Sequence, residues 1–418
     1  MKVLCIYTNK FPYTDVEPYL ETEVLNYKGF DKVYVFSLIV KKTEETIKRS
    51  MPDNIEVFPI RINKIGYIFG AIKALFDREF HIEIKRIQKK QGISIDRILA
   101  LLLFISRAHV DSKKISRLIK DRIQDCDTIF YTYRFEYQPY TAILVKKRLN
   151  LNNIPIISRA HGYDLYENRA KGNYLPLREE LLKNLEWIFP CSKAGELYLK
   201  DNYPIWKDKV STRYLGSSDY GIEDYSYLGN GFRIVSCSNI VSIKRIDRII
   251  DVLSQLHTTN IEWVHIGAGK DEESIHKRAL DKLDQRIKTV FMGSMSNTEV
   301  MSYYKQNKID LFINLSDSEG LPVSIMEAFS FGIPCVATNV GGTSEIVETG
   351  VNGYLVELQD NDASIAQTID MILNMRPDEY MKLRSGARDT WEAKFNANKN
   401  YKEFNDELLK ICDSNIHN

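Results

Sequence analysis

The sequence predicts an α/β protein made of two parallel-sheet domains that face each other across a cleft. Three observations carry this. At 418 residues the chain exceeds what one hydrophobic core serves, because cores stop growing at about 250–300 residues. Short strand-like apolar runs alternate with helix-like segments through both halves, the pattern of parallel strands joined by crossover helices. Between the two series lies Gly216 to Gly231, rich in Gly, Ser, Asp and Tyr and without apolar periodicity, which reads as a linker.

The first series of strand candidates is Val3 to Tyr7, Lys32 to Leu38, Thr128 to Tyr131, Ile154 to Ser158 and Trp187 to Pro190. The second is Phe232 to Cys237, Glu262 to Ile266, Thr289 to Met292, Leu311 to Leu315 and Cys335 to Thr338. Each is a short apolar run of buried-strand type. Domain boundaries are expected at 1–218 and 219–390. A terminal segment, 391–418, is expected to form an amphipathic helix that packs back on the first domain, with Phe395, Tyr401, Phe404, Leu408 and Leu409 on its apolar side.

Composition excludes several classes. A formal net charge of +1 argues against whole-protein attraction to nucleic acid. The six cysteines are scattered, with no CxxC pair and no His cluster at metal-ligand spacing, so neither a disulfide framework nor a zinc site is expected. The amino terminus lacks the apolar core of a signal peptide, and the longest apolar run, Ile98 to Ile105, falls short of the roughly 20 residues a bilayer requires. The expected location is cytoplasmic. Charge is uneven, however: Arg61 to Asp125 holds 15 Lys and Arg against 7 Asp and Glu. An apolar run with cationic flanks suits a peripheral position on an anionic membrane surface, and equally a core helix beside a solvated basic face.

Four groups of residues invite a chemical reading. Glu319 and Glu327 bracket a strand-to-helix turn containing Gly320 and Leu321. The carboxylates suit paired sugar or ribose hydroxyls and the two amides a pyrophosphate, or both acids simply favour a helix start. Lys244 and Arg245 precede a helix-like run, where the dipole prefers acids, so a bound anion would explain them; a solvated basic pair is the alternative. His161 follows the strand Ile154 to Ser158, beside Gly162, which permits close approach of a ligand; a structural histidine is the alternative, and Arg159 and Asp164 could equally form an ion pair fixing the loop. Gly267-Ala268-Gly269 lacks the third glycine of a dinucleotide fingerprint, Glu272 standing in its place, and reads as a tight turn.

The run Glu319 to Glu327, with Gly320-Leu321-Pro322 inside it, continues into Gly332-Ile333-Pro334, Gly341-Gly342 and Gly350-Val351-Asn352-Gly353. It resembles the signature of retaining family-4 glycosyltransferases of the GT-B fold, glycosyl transferases group 1, of the bacterial polysaccharide-biosynthesis type. Val235 to Asn239 with Lys244-Arg245, and His161-Gly162-Tyr163-Asp164, resemble two further elements of that family. Phe11-Pro12 and Glu17 to Glu23 resemble its acceptor-facing first loop and helix.

The resemblance implies two Rossmann-like domains. It implies Lys244 on the donor diphosphate, Gly320 and Leu321 amides on the pyrophosphate, Glu327 on the ribose and Glu319 on the transferred sugar, with His161 near the reacting centre. Asn239 stands where the family has an arginine, so a phosphate contact would be weaker or moved onto Arg245. The expected activity is transfer of a sugar, with retention, from a nucleotide-diphosphate sugar to a glycan or lipid-linked acceptor in surface polysaccharide synthesis. No cofactor and no metal are expected. A nucleotide-sugar epimerase and a non-catalytic sugar-nucleotide-binding subunit are the alternatives.

Overall fold

The structure is a computed structural model that describes all residues except 15, 45–48, 50, 222–230 and 415–418. The greater part of the expected linker Gly216 to Gly231 therefore lies outside the described residues. The chain divides into two compact units, residues 1–214 with 401–418, and residues 215–400.

The first unit holds a six-stranded sheet: β1 Lys2–Thr8, β2 Lys32–Val40, β3 Ile55–Arg61, β4 Asp127–Thr132, β5 Ile156–Ala160 and β6 Trp187–Pro190. Its order is β3-β2-β1-β4-β5-β6, and every pairing is parallel. The strands are buried on both faces, as parallel sheets require: Leu4, Ile6 and Val33 pack one side, Val3, Cys5 and Phe36 the other. Strand β3 is absent from the sequence expectation because Pro59 interrupts it. Proline is tolerated there because β3 is an edge strand.

The second unit repeats the plan with β7 Phe232–Cys237, β8 Ile261–Ile266, β9 Ile287–Phe291, β10 Leu311–Asn314, β11 Cys335–Thr338 and β12 Gly353–Val356, in the order β12-β11-β10-β7-β8-β9. All are parallel. In both sheets the first strand has its successor on one side and a strand reached by crossover on the other. That reversal, β1/β4 and β7/β10, is the topological switch point where ligands settle in open α/β sheets.

The terminal segment contributes to both units. Trp391–Phe395 forms one π-helical turn, and the Trp391 indole donates to Ser217 Oγ at 2.8 Å, so this turn belongs to the second unit. The helix Ala397–Ser414 then carries Phe404, Leu408, Ile411 and Cys412 into the core of the first. The chain thus crosses between units at Asn400 rather than at residue 390. All six cysteines are free.

In the first unit the acids at both ends of the stretch Glu17 to Glu23 are buried structural groups. Glu23 is buried and pairs with Arg159 at 3.3 Å, accepting also from the hydroxyls of Tyr27 and Tyr131 at 2.6 and 2.8 Å. Glu17 accepts from the amides of Asn9, Lys10 and Phe11 and from Arg134 Nε at 2.9 Å. Arg159 consequently does not pair with Asp164; its guanidinium lies over the Phe404 ring, 4.1 Å from the centroid. Its place in β5 sends its side chain to the sheet face that Tyr131 and Phe404 line.

Candidate functional site

In the second unit the candidate side chains gather where β7 and β10 end. Strand β10 delivers Asn314 at its last position, and the following loop carries Asp317, Glu319, Gly320 and Leu321 to the helix Val323–Ser330. Strand β7 ends at Cys237, and the loop after it leads through Asn239 to Lys244 and Arg245. Lys244 Nζ donates to Glu319 Oε1 at 2.7 Å, and Asn314 Nδ2 donates to the same oxygen at 3.2 Å. A cation and a carboxylate, each suited to part of a sugar phosphate, thus satisfy one another.

Glu327 occupies the second turn of its helix and is buried. Burial pushes its carboxyl up to about 7, against a partial counter-effect from Asn297, whose Nδ2 donates to Glu327 Oε1 at 2.6 Å. Cys237 lies close enough that Glu327, after burial, helps push its thiol up to about 12. A buried carboxylate with one neutral donor is short of partners, since an ionised carboxylate accepts about four hydrogen bonds. Vicinal hydroxyls would supply them.

Arg245 diverges from Lys244. It adopts a left-handed backbone (φ 48°) at the helix start, and its guanidinium donates to Asp317 Oδ1 at 2.9 Å and to Asp247 at 3.3 Å. Like Lys244, it is paired with a carboxylate, Asp317, on the loop that follows β10. Asn239 is exposed on its loop.

The glycines the sequence reading took for a tight turn have a steric task. A Cβ on Gly267 would stand 1.9 Å from the Ser238 carbonyl oxygen, and one on Gly269 would stand 2.1 Å from that of Ile240. Likewise a Cβ on Gly341 would meet the Glu319 carbonyl oxygen at 2.0 Å, and one on Gly342 that of Gly320 at 2.5 Å. Gly342 also donates its amide to Gly320 O at 2.8 Å. Both loops of the site are therefore held by backbone packed directly on backbone.

His161 lies in the first unit, capping the short helix Gly162–Leu165. Its Nδ1 is 3.5 Å from Asp164 Oδ2, and its ring is 4.9 Å from that of Tyr133. Burial acts to lower its pKa, but Cys191 and the Asp164 carboxylate outweigh burial and raise it to about 10. Asp164 is fixed in turn by the Phe135 amide at 3.0 Å.

Sequence reasoning missed Asn297 and Asn314. The capping box Ser296–Glu299 was the available signal for Asn297, since it sets a helix start at that residue. Among the described residues no group of three or more His, Cys, Asp or Glu is placed to hold a metal ion.

Two Rossmann-like sheets, with a cation, two carboxylates and close-packed glycine loops at the switch point of the second, define a doubly wound α/β protein of two parallel-sheet units. Residues 228–390, most of the second unit, match the family model of the glycosyl transferases group 1. The putative colanic acid biosynthesis glycosyltransferase WcaL of Escherichia coli is 27% identical over 246 residues, 56% of this chain and 59% of the relative. The chain spans about half the length of the curated relatives it matches. Among solved structures, the lipopolysaccharide outer core galactosyltransferase WaaB superimposes with a TM-score of 0.69 at 15% identity, covering 98% of this chain and 99% of that one. HepE of Anabaena, in complex with UDP and glucose, gives 0.66 at 17% identity, over 98% and 99%. These likenesses establish the GT-B fold.

Proposed function

We propose that the protein is a retaining glycosyltransferase that moves a sugar from a nucleotide-diphosphate sugar to a glycan or lipid-linked acceptor in bacterial cell-surface polysaccharide synthesis. The observation that carries the reading is the Lys244–Glu319 pair at the β7/β10 switch point, beside the buried Glu327. The pair is poised for exchange. When a diphosphate arrives, Lys244 turns from the carboxylate to the phosphate oxygens, and Glu319 is released to accept from sugar hydroxyls. Glu327 accepts from the ribose hydroxyls, and the amides of Gly320 and Leu321 face the pyrophosphate.

In the reaction the bond from the anomeric carbon to the phosphate oxygen breaks and the acceptor oxygen bonds to that carbon on the same face. The acceptor proton passes to the departing phosphate oxygen. Charge developing on the leaving diphosphate is met by Lys244 and backbone amides, donors preorganised before the reaction, without a metal. His161, with Asp164 beside its Nδ1, takes the place next to the transferred sugar as a hydrogen-bond donor.

Relatives named for colanic acid and O-antigen biosynthesis support the pathway, and the UDP complex of HepE makes UDP the first nucleotide to try. A thermal-shift panel of uridine, guanosine and adenosine diphosphates tests the site. A nucleotide at 100 times its dissociation constant should stabilise by about 2.7 kcal/mol. The shift should vanish in Lys244→Ala. No shift with any of them, or an equal shift in Lys244→Ala, would overturn the assignment.

A further inference from the structure

The helix Lys64–Ala74 of the first unit is built inside out. Towards the protein it presents small or slender contacts: Gly70 and Ala74 are buried with Tyr67, and a Cβ on Gly70 would stand 2.5 Å from Ser106 Oγ on the helix Ile95–Ile119. Away from it stand Ile65, Ile68, Phe69, Ile72 and, just past the helix end, Phe76, exposed by 70%, 64%, 62%, 53% and 83%. Their spacing follows the helical repeat, so they form one stripe. A globular helix turns such a stripe to the core. Here the core side is filled by close approach to the neighbouring helix, and the large apolar side chains are left outside.

The same face is cationic. From Arg61 to Phe76 there is no Asp or Glu, while Lys64 and Lys73 are exposed within the helix. The helix it packs against adds a second exposed apolar row, Ile95, Leu99 and Leu103, spaced four residues apart. Of the apolar run singled out in the sequence, Leu101, Phe104 and Ile105 are core; the exposed apolar surface is carried chiefly by residues 65–76, which that run does not include. No helix among the described residues is long and apolar enough to cross a membrane.

We propose that residues 64–76 are an interfacial docking helix that seats the protein on an anionic lipid surface. Its apolar stripe would enter the boundary between headgroups and acyl chains, with Lys64 and Lys73 at the level of the lipid phosphates. Charge decides between a bilayer and a second copy of the chain. A two-fold contact would set this face against itself and bring lysines of like sign together across an apolar seam without a carboxylate from the helix to neutralise them. An anionic bilayer complements both features at once.

The full chain should co-sediment with vesicles of phosphatidylglycerol and phosphatidylcholine, and far less with phosphatidylcholine alone. The triple variant Ile68→Ser/Phe69→Ser/Ile72→Ser should lose about tenfold or more in partitioning, because each change removes apolar area from lipid. Its circular dichroism and melting should match the wild type, since the three side chains are exposed. Lys64→Glu/Lys73→Glu should weaken binding to anionic vesicles only, an effect that high salt erases. Three results would each overturn the proposal: no sedimentation of the wild type with anionic vesicles, unchanged partitioning of the triple-serine variant, or a dimer in sedimentation velocity that the serine substitutions dissolve. Nucleotide binding is measured separately, so failure here leaves the donor site untouched.

Discussion

Replacing Glu327 by glutamine separates a ligand-binding carboxylate from a structural one, because the two roles predict opposite changes in stability. Burial raises the Glu327 pKa to about 7 from an ordinary 4.5. The folded protein therefore holds this proton more tightly than the unfolded chain does, and stability is lost as pH rises from about 4.5 to about 7. Above that window the ionised group costs the fold about 3 kcal/mol, at 1.36 kcal/mol per tenfold difference in proton affinity. Glutamine keeps the size and an oxygen for Asn297 while removing the charge. Denaturant unfolding at a pH below about 4 should therefore find variant and wild type nearly equal. At pH 8 the variant should be more stable by up to about 3 kcal/mol, less what its buried amide N–H groups cost. Calorimetry with UDP should show the reverse for binding. Replacing charge-assisted hydrogen bonds to two hydroxyls by neutral ones should weaken affinity by about ten- to a hundredfold. Wild-type affinity should also rise with pH through about 7 more steeply than that of the variant, which controls for titration of the nucleotide itself. A variant that is less stable at pH 8, or that binds UDP as tightly as wild type, would show that Glu327 is a structural residue.

Gly341→Ala should weaken UDP-sugar binding by at least about tenfold with little change in secondary structure, measured by calorimetry and circular dichroism, because its Cβ cannot coexist with the Glu319 carbonyl 2.0 Å away and its backbone is left-handed (φ 56°). Arg159→Met should destabilise the first unit by about 3–5 kcal/mol in denaturant unfolding, because it leaves Glu23 buried without its countercharge. Nucleotide affinity should be unchanged in that variant, since Arg159 lies outside the donor site.

Much of the fold was legible because parallel strands, buried on both faces, write themselves as apolar runs; ten of the twelve strands were expected within a few residues of where they lie. The two that were not, β3 and β12, are edge strands, one broken by Pro59 and the other opening on Gly353, so neither carries the uninterrupted apolar signature. The spatial proximity of Lys244 and Glu319 was legible only through family resemblance, since nothing in spacing joins residues on separate loops. The capping box could have placed Asn297 at a helix start, but that it and Asn314 face Glu327 and Glu319 was illegible: an asparagine's role depends on what it faces, which is a tertiary fact. Arg159 failed for the same reason. Its neighbour in sequence, Asp164, was the obvious partner, but strand alternation turned the side chain towards Glu23.

The two glycine pairs sharpen what the sequence means at this site. Gly267 and Gly269 resemble half of a dinucleotide fingerprint, yet their α-carbons press on the Ser238 and Ile240 carbonyls, just as Gly341 and Gly342 press on those of Glu319 and Gly320. The resemblance to a phosphate cradle is thus displaced by one layer: these glycines position the loops that lead to Lys244 and carry Glu319. Backbone-on-backbone packing leaves no rotamer to relax, so the loops hold carboxylate and ammonium in a fixed relation. On the proposed function, the contact that a diphosphate would replace is the Lys244–Glu319 bond, which joins the two loops through side chains and not through backbone.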